Sequence, residues 1–284
     1  MFFSGSQQYI WYVEVLRKTC NEGDRTFYDA IMFKEKKMLD IIYRIIQSSL
    51  LLLFLSGVVL AQDGNELLRQ LDANMQPASY EMYRKLINIE PDGKKKEFVL
   101  YTVKKGEDKM VALFMSPASE KGRSTLRLGD NMWLYIPNVG KPIRITSLQS
   151  VVGGIFNNSD ILRLDFSVEY DVQQIEDKGE SYLLELKAKT SSVSYDRLMM
   201  SVDKNTVLPT NIECYAISGM LIKTLHYSKI KDFGDGLVRP SVLETDSPLN
   251  KGYRSVMLFA KVQEKDFADE VFTLNYLSKV DELR

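Results

Sequence analysis

Hydrophobic and polar positions along the chain follow two different periods. Within residues 64–75, Leu67, Leu68, Leu71 and Met75 recur at helical spacing, which predicts a short amphipathic helix ended by Pro77. After it a period near two takes over. It predicts strands at 80–89, 97–103, 110–115, 125–128, 131–136 and 143–145, then at 168–176, 181–188, 195–202, 208–216, 221–230, 237–245 and 253–263. Turn clusters separate them, among them Pro91-Asp92-Gly93, Asp177-Lys178-Gly179-Glu180 and Ser218-Gly219. Residues 266–277 predict a last short turn of helix. About a dozen short strands without long helices between them mean an antiparallel sheet curled into a barrel or sandwich.

Several strands are apolar on both faces. Phe98 and Leu100 oppose Val99, Tyr101 and Val103, and the run 110–115 is apolar throughout. A sheet with one wet face would alternate, so these strands are covered twice or line a ligand cavity. The helix at 64–75 and the segment 147–156 are the covers the sequence offers.

That segment is where the alternation stops. Trp133 and Tyr135 share one face of a strand, Pro137-Asn138-Val139-Gly140 turns it, and 143–145 returns. Then come Leu148, Val151, Val152, Gly153, Gly154, Ile155 and Phe156, which fit neither period, with Ser159 or Asp160 placed to cap a short helix through Leu164. An apolar flap hinged at Gly153-Gly154 suits a cover over a greasy cavity; a loop packed on an ordinary core is the other reading. On the first, the cavity and flap residues are Leu67, Leu71, Leu100, Leu113, Leu126, Leu128, Trp133, Tyr135, Val151, Val152, Ile155 and Phe156, with Gly153 and Gly154 as hinge.

Residues 50–60 (LLLLFLSGVVL) are an apolar run of eleven, preceded by Lys34, Lys36, Lys37 and Arg44 and ended by Val59-Leu60-Ala61. A basic start, a short apolar middle and small residues before the break mark a secretory signal peptide over 38–61, cleaved before Gln62; an uncleaved anchor is the alternative. Residues 1–37 then read as an upstream extension outside the working protein, and 62–284 as its single domain. That domain carries 30 basic and 32 acidic side chains, a balance without the positive bias that nucleic-acid binding requires. Cys214 is its only cysteine, so no internal disulfide forms, and a buried structural thiol is expected.

The chemistry of catalysis is sparse. His226 is the only histidine of the 284 residues and lies in a strand, so no multi-histidine metal site can form. There is no nucleophile elbow, phosphate loop or metal-spaced cysteine pair. Neither catalytic residues, metal nor cofactor are expected. Lys94-Lys95-Lys96 reads as protection of an exposed edge, with docking to an anionic surface as the weaker alternative.

Laid out in order, the chain resembles the outer-membrane lipoprotein-sorting proteins of the LolA-like superfamily. The likeness is carried by Asn131-Met132-Trp133-Leu134-Tyr135-Ile136-Pro137, Lys141-Pro142-Ile143-Arg144-Ile145, Asn158-Ser159-Asp160, Val202-Asp203-Lys204 with Leu208-Pro209, residues 219–225, Phe272-Thr273 and Tyr276-Leu277. It covers nearly all of 62–277. The resemblance implies a mainly β fold: a half-open antiparallel barrel of about 11–12 strands with short α-helical lids over an apolar cavity, located in the periplasm. It implies a non-enzymatic carrier of lipoprotein acyl chains or lipids. An inner-membrane RND- or ABC-type transporter and an outer-membrane acceptor are the implied partners, and a monomer is expected. A regulatory or scaffold protein of the same fold is the alternative. In that family an arginine on an early strand helps hold the lid, and Arg84 is the nearest candidate by position, without an assigned role here. Burying a methylene is worth about 0.8 kcal/mol, so a sixteen-carbon tail needs a dry space worth on the order of 12 kcal/mol.

Overall fold

The computed structural model describes residues 63–284, together with Lys37 and Met38. The expected extension over 1–37, the signal peptide over 38–61 and its cleavage before Gln62 lie outside the described residues, apart from that pair. Among the described residues no helix is long and apolar enough to cross a membrane.

Helix α1 (Gly64–Met75) occupies the predicted span. Asp63 caps it by accepting from the Asn65 backbone, and Leu67, Leu68, Leu71 and Met75 form its buried stripe. Thirteen strands follow: β1 (Ser79–Ile89), β2 (Lys95–Lys105), β3 (Lys109–Ser116), β4 (Ser124–Leu128), β5 (Asn131–Tyr135) and β6 (Ile143–Ile145), then β7 (Tyr170–Asp177), β8 (Ser181–Ala188), β9 (Arg197–Asp203), β10 (Leu208–Tyr215), β11 (Leu221–Asp232), β12 (Val238–Asp246) and β13 (Arg254–Glu264). Between β6 and β7 lie two single-turn helices, α2 (Asn158–Ile161) and α3 (Phe166–Glu169).

All thirteen strands join one antiparallel sheet in the order β6-β5-β4-β3-β2-β1-β13-β12-β11-β10-β9-β8-β7. The chain is mainly β, a half-open barrel: β6 and β7 are its two free edges and do not pair. The order fixes what the connection between them must do. Every neighbouring pair but one is consecutive in sequence; the exception, β1 with β13, brings the first and last strands together. Residues 146–169 alone run from one free edge to the other, so they have to traverse the open, concave side. The lid is placed by topology as much as by its own composition.

The sheet has a core on each face. On the concave side Leu86, Leu100, Met110, Leu184, Met200, Ile212 and their neighbours pack against α1 and the lid. The opposite parity of β2–β4 (Tyr101, Val103, Val111, Leu113 and Leu126) packs under Phe272, Leu277 and Val280. Those last residues belong to two 3₁₀ helices, Asp269–Phe272 and Leu274–Leu283, where a short helical turn is expected. The doubly apolar strands are therefore covered twice, but the second cover is the chain's C-terminal segment, not α1 or the flap. Lys94–Lys96 stand at the tip of the β1–β2 hairpin, where β2 runs past its pairing with β3, which begins at Val99.

Candidate functional site

The lid begins as a tight turn. Val151 N donates to Phe156 O at 2.9 Å and Gly154 N to Val151 O at 3.0 Å, with a single bridge between Ser150 and Asn157. Val152 and Gly153 both take left-handed backbone, at φ 46° and 74°. Only the glycine does so without cost. Under the tip, Asn88 on β1 donates to Val152 O at 3.3 Å and accepts from Ser255 Oγ at 2.8 Å, while Ser255 Oγ accepts from Ile155 N. The two glycines at the tip are needed for different reasons. A Cβ on Gly153 would meet nothing within 4 Å, whereas one on Gly154 would lie 2.1 Å from Asn88 Oδ1. Gly153→Ala should cost about 1 kcal/mol of backbone strain. Gly154→Ala should cost about 2 kcal/mol, because Asn88 must leave its partners. Thermal unfolding of the two variants checks the ranking, and equal costs would contradict the close approach.

Past the turn, Asn157 caps α2: its side chain accepts from Asp160 N while Asp160 accepts from Asn157 N. The cap falls two or three residues before the Ser159 or Asp160 expected from sequence, because Asp160 is the reciprocal half of the box. The lid then presents Val151, Ile155, Phe156, Ile161, Leu162, Leu164 and Phe166 as buried side chains.

Cations projecting from the concave faces of the strands hold this segment. Arg84 of β1 donates to Ile161 O at 2.6 Å and to Thr102 Oγ1 at 2.8 Å. A register shift in the β1–β13 ladder falls between Tyr83 and Arg84, with the extra residue, Ala260, on β13, so Arg84 keeps the inward parity of Met82 and Leu86. Lys104 of β2 is fully buried and pairs with Asp165 at 2.7 Å. Arg127 of β4 donates to Leu162 O at 3.0 Å and pairs with Glu169. Lys223 of β11 donates to Ile155 O at 2.6 Å and to Asp160 at 2.8 Å. Tyr195 OH donates to the other Asp160 oxygen at 3.0 Å. Burial raises the Asp160 carboxyl, but Lys223 and Arg163 outweigh it and hold the group below its ordinary value.

Helix α1 adds the last clamp. Asp72 accepts from Phe166 N and Ser167 N, each at 2.8 Å. Burial lifts its carboxyl from 3.8 to about 6, the Ser167 backbone bond opposing the rise and Asp165 adding to it. A carboxyl raised on folding favours the folded state only while protonated. Its contribution is full below about pH 3.8 and is lost as pH rises through about 6. A shift of about two units corresponds to about 3 kcal/mol. Between pH 4 and pH 7 the stability of wild type should therefore fall relative to Asp72→Asn by about that amount, measured by urea denaturation at both pH values. A pH-independent difference would mean the carboxylate is hydrated.

Of the residues expected to line one cavity, Leu67, Leu71, Leu100, Val151 and Phe156 do meet in the concave core, with Val152 packed against it and Ile155 buried in the lid. Leu113 and Leu126, with Leu128, Trp133 and Tyr135 packed on them, do not: their strand parity turns them to the convex face, beneath the C-terminal 3₁₀ helices. Among the described residues the concave space is packed with side chains. Two small, partly open cavities beside the lid measure about 20 Å³ and 40 Å³, against the 300–1,000 Å³ or so of a typical ligand pocket. A larger cleft of about 510 Å³, lined by Lys96, Glu97, Phe98, Arg123 and Val152 among others, is an open surface groove of mixed charge. The hollow expected from sequence is occupied by the lid's own side chains.

The clamping cations were not identified as site residues from sequence, yet they leave a trace there. Arg84 sits between Met82 and Leu86, Lys104 continues the parity of Phe98 and Leu100, and Lys223 that of Leu225 and Tyr227. A lone cation in phase with inward apolar positions is the signal. His226, by contrast, is exposed and faces Asp246 at 3.5 Å. Cys214 is buried, and burial pushes its thiol up to about 12.

A half-open antiparallel sheet, its edges joined by a lid seated on the concave face, is a LolA-like fold. The chain belongs to the family whose model, described as an uncharacterized protein, matches residues 106–279. Among solved structures it is similar to a LolA superfamily protein from Nitrosomonas europaea (27% identity, TM-score 0.69, covering 76% of this chain and 100% of that one). It is also similar in fold to a DUF1329 family protein from Desulfovibrio piger (24% identity, TM-score 0.66, covering 75% and 97%). A domain from Vibrio parahaemolyticus, described as an outer membrane lipoprotein-sorting protein domain, shares the fold at 18% identity and TM-score 0.64, covering 76% and 98%. No curated protein matches the chain.

Proposed function

We propose that this protein is a periplasmic carrier. It binds acyl chains of lipoproteins or lipids in the space the lid now occupies and moves them toward the outer membrane. The observation that carries the reading is the construction of the lid: apolar side chains fill the concave face, while its backbone and carboxylates are tied down by buried polar groups of the sheet. Apolar contacts with the sheet can be remade by a hydrocarbon tail, and the clamps give a closed state to return to. The tail would displace Val151, Phe156 and Ile161, so that burial of its methylenes replaces theirs. Likeness to a LolA superfamily protein, and in fold to a lipoprotein-sorting domain, supports the same reading. No step of it requires catalysis.

Mass spectrometry of the protein purified natively from periplasm tests this, together with titration of acyl probes. A co-purifying lipid or acyl ligand is the expected result. Absence of any bound lipid, with no binding of acyl probes, would overturn it. The filled concave space favours one other reading: a regulatory or scaffold protein that keeps this lid shut and partners an RND-type exporter or senses envelope lipoproteins. A stable protein partner, with no acyl binding at any concentration, would select it.

A further inference from the structure

Beside the lid, the cavity of about 40 Å³ is lined by Arg84, Arg163 and Arg239, by one acid, Asp160, and by Tyr80, Tyr227 and apolar side chains such as Met82 and Phe259. Three arginines in one buried space are expensive unless something negative meets them. Arg163 has an acid, Asp160, at 3.4 Å, and donates to Tyr227 OH at 2.9 Å. Asp160 is already shared with Lys223. Arg84 and Arg239 have only neutral acceptors among the described residues. Arg84 meets Thr102 Oγ1, Met257 Sδ and Ile161 O. Arg239 gives one bond, to Met75 O at 2.6 Å, and lies over the Phe259 ring at 4.6 Å. Its Nε has no hydrogen-bond partner among the described residues, although the side chain is only 2% exposed.

We propose that Arg84 and Arg239 form a recognition site for the carboxylate of an anionic amphiphile, whose hydrocarbon tail follows the apolar path vacated by the lid. This rests on the carrier reading and names its substrate class: a tail with a free acid head. A carboxylate suits the space and the charge. The cavity, at about 40 Å³, is small and has room for a water-sized polar group, and a planar pair of oxygens matches the guanidinium fork. Tyr227 accepts from Arg163 and keeps its own proton to donate. Burial pulls each guanidinium down to about 10, with Tyr80 opposing the fall and Arg163 adding to it, so both are still charged at neutral pH.

The site also couples to the lid. Arg84 holds the lid through a neutral carbonyl, Ile161 O. A carboxylate is the stronger acceptor. Head-group binding therefore draws Arg84 away from Ile161 and loosens the lid that the tail must displace.

Isothermal titration of the purified full chain with hexadecanoate and with hexadecanol separates head from tail. Hexadecanoate should bind about 30-fold more tightly in wild type, the worth of one charge-assisted pair. The ratio should fall to a few-fold in Arg239→Met and recover in part in Arg239→Lys. Equal affinities for the two probes in wild type would overturn this proposal and leave the carrier reading standing. No binding of either would overturn both. Stabilisation by inorganic phosphate that Arg239→Met abolishes, without any preference for hexadecanoate, would assign the site to free phosphate and overturn the carboxylate proposal. The wild-type comparison does not depend on how well the variants fold.

Discussion

Replacing Asp160 by Ala is expected to remove about 3–5 kcal/mol of stability, read as a fall in the urea midpoint without a change in slope. The reason is what the substitution leaves behind. Asp160 and Lys223 are 0% and 3% exposed, and the pair is 2.8 Å apart. Without the carboxylate a buried ammonium keeps only Ile155 O, Tyr195 OH loses its acceptor, and α2 loses half its capping box. Removing both charges with apolar residues, Asp160→Leu with Lys223→Met, should recover most of the loss. Buried ion pairs are costly to break and cheap to replace. The same logic sets the response to acid. The Asp160 carboxyl is depressed on folding, so its contribution is present above about pH 3.8 and is lost only as pH falls through its lower folded value. Asp72 acts with the opposite sign, between about pH 4 and 6. If Asp160→Ala cost under 1 kcal/mol, the clamp would have to be solvated and the lid loosely held.

Much of this arrangement was legible in the chain before any coordinates. The stripe at Leu67, Leu68, Leu71 and Met75 gave α1 to the residue, because an apolar face at helical spacing followed by Pro77 leaves little choice. Strands with turn residues between them were equally readable, as was the break in alternation after Ser147. What could not be read was which strand parity faces which cover. Leu100 and Tyr101 look alike in sequence; one meets α1 and the lid, the other the C-terminal 3₁₀ helices. That assignment depends on where a distant segment lands, and the segment around Phe272 and Leu277 has too little periodicity to announce itself. The clamps were hidden for a related reason. Arg84, Lys104, Arg127 and Lys223 come from four strands and reach their separate partners on one segment only because residues 146–169 cross between the free edges of the sheet. The filled concave face was unreadable too, since an apolar flap predicts a cover and is silent on how deep it sits.

That depth leads to the second large effect. Phe156 is fully buried in the concave core. Its replacement by Ala should lower the stability of the ligand-free protein by about 3–5 kcal/mol, the usual range for a lost core aromatic. On the carrier reading the same substitution should improve binding. A tail that enters the concave face has to eject Phe156, and exposing such a side chain costs about 1.5–3 kcal/mol. With Ala in its place that cost falls away, so a neutral probe such as methyl hexadecanoate should bind on the order of tenfold more tightly or better. The uncharged probe keeps this test independent of the arginine site. Stability and affinity thus move in opposite directions, and saturating probe should return part of the lost stability by mass action. A Phe156→Ala protein that is destabilised and binds the ester no better than wild type would mean that the lid is core and nothing more, whatever the fold it shares.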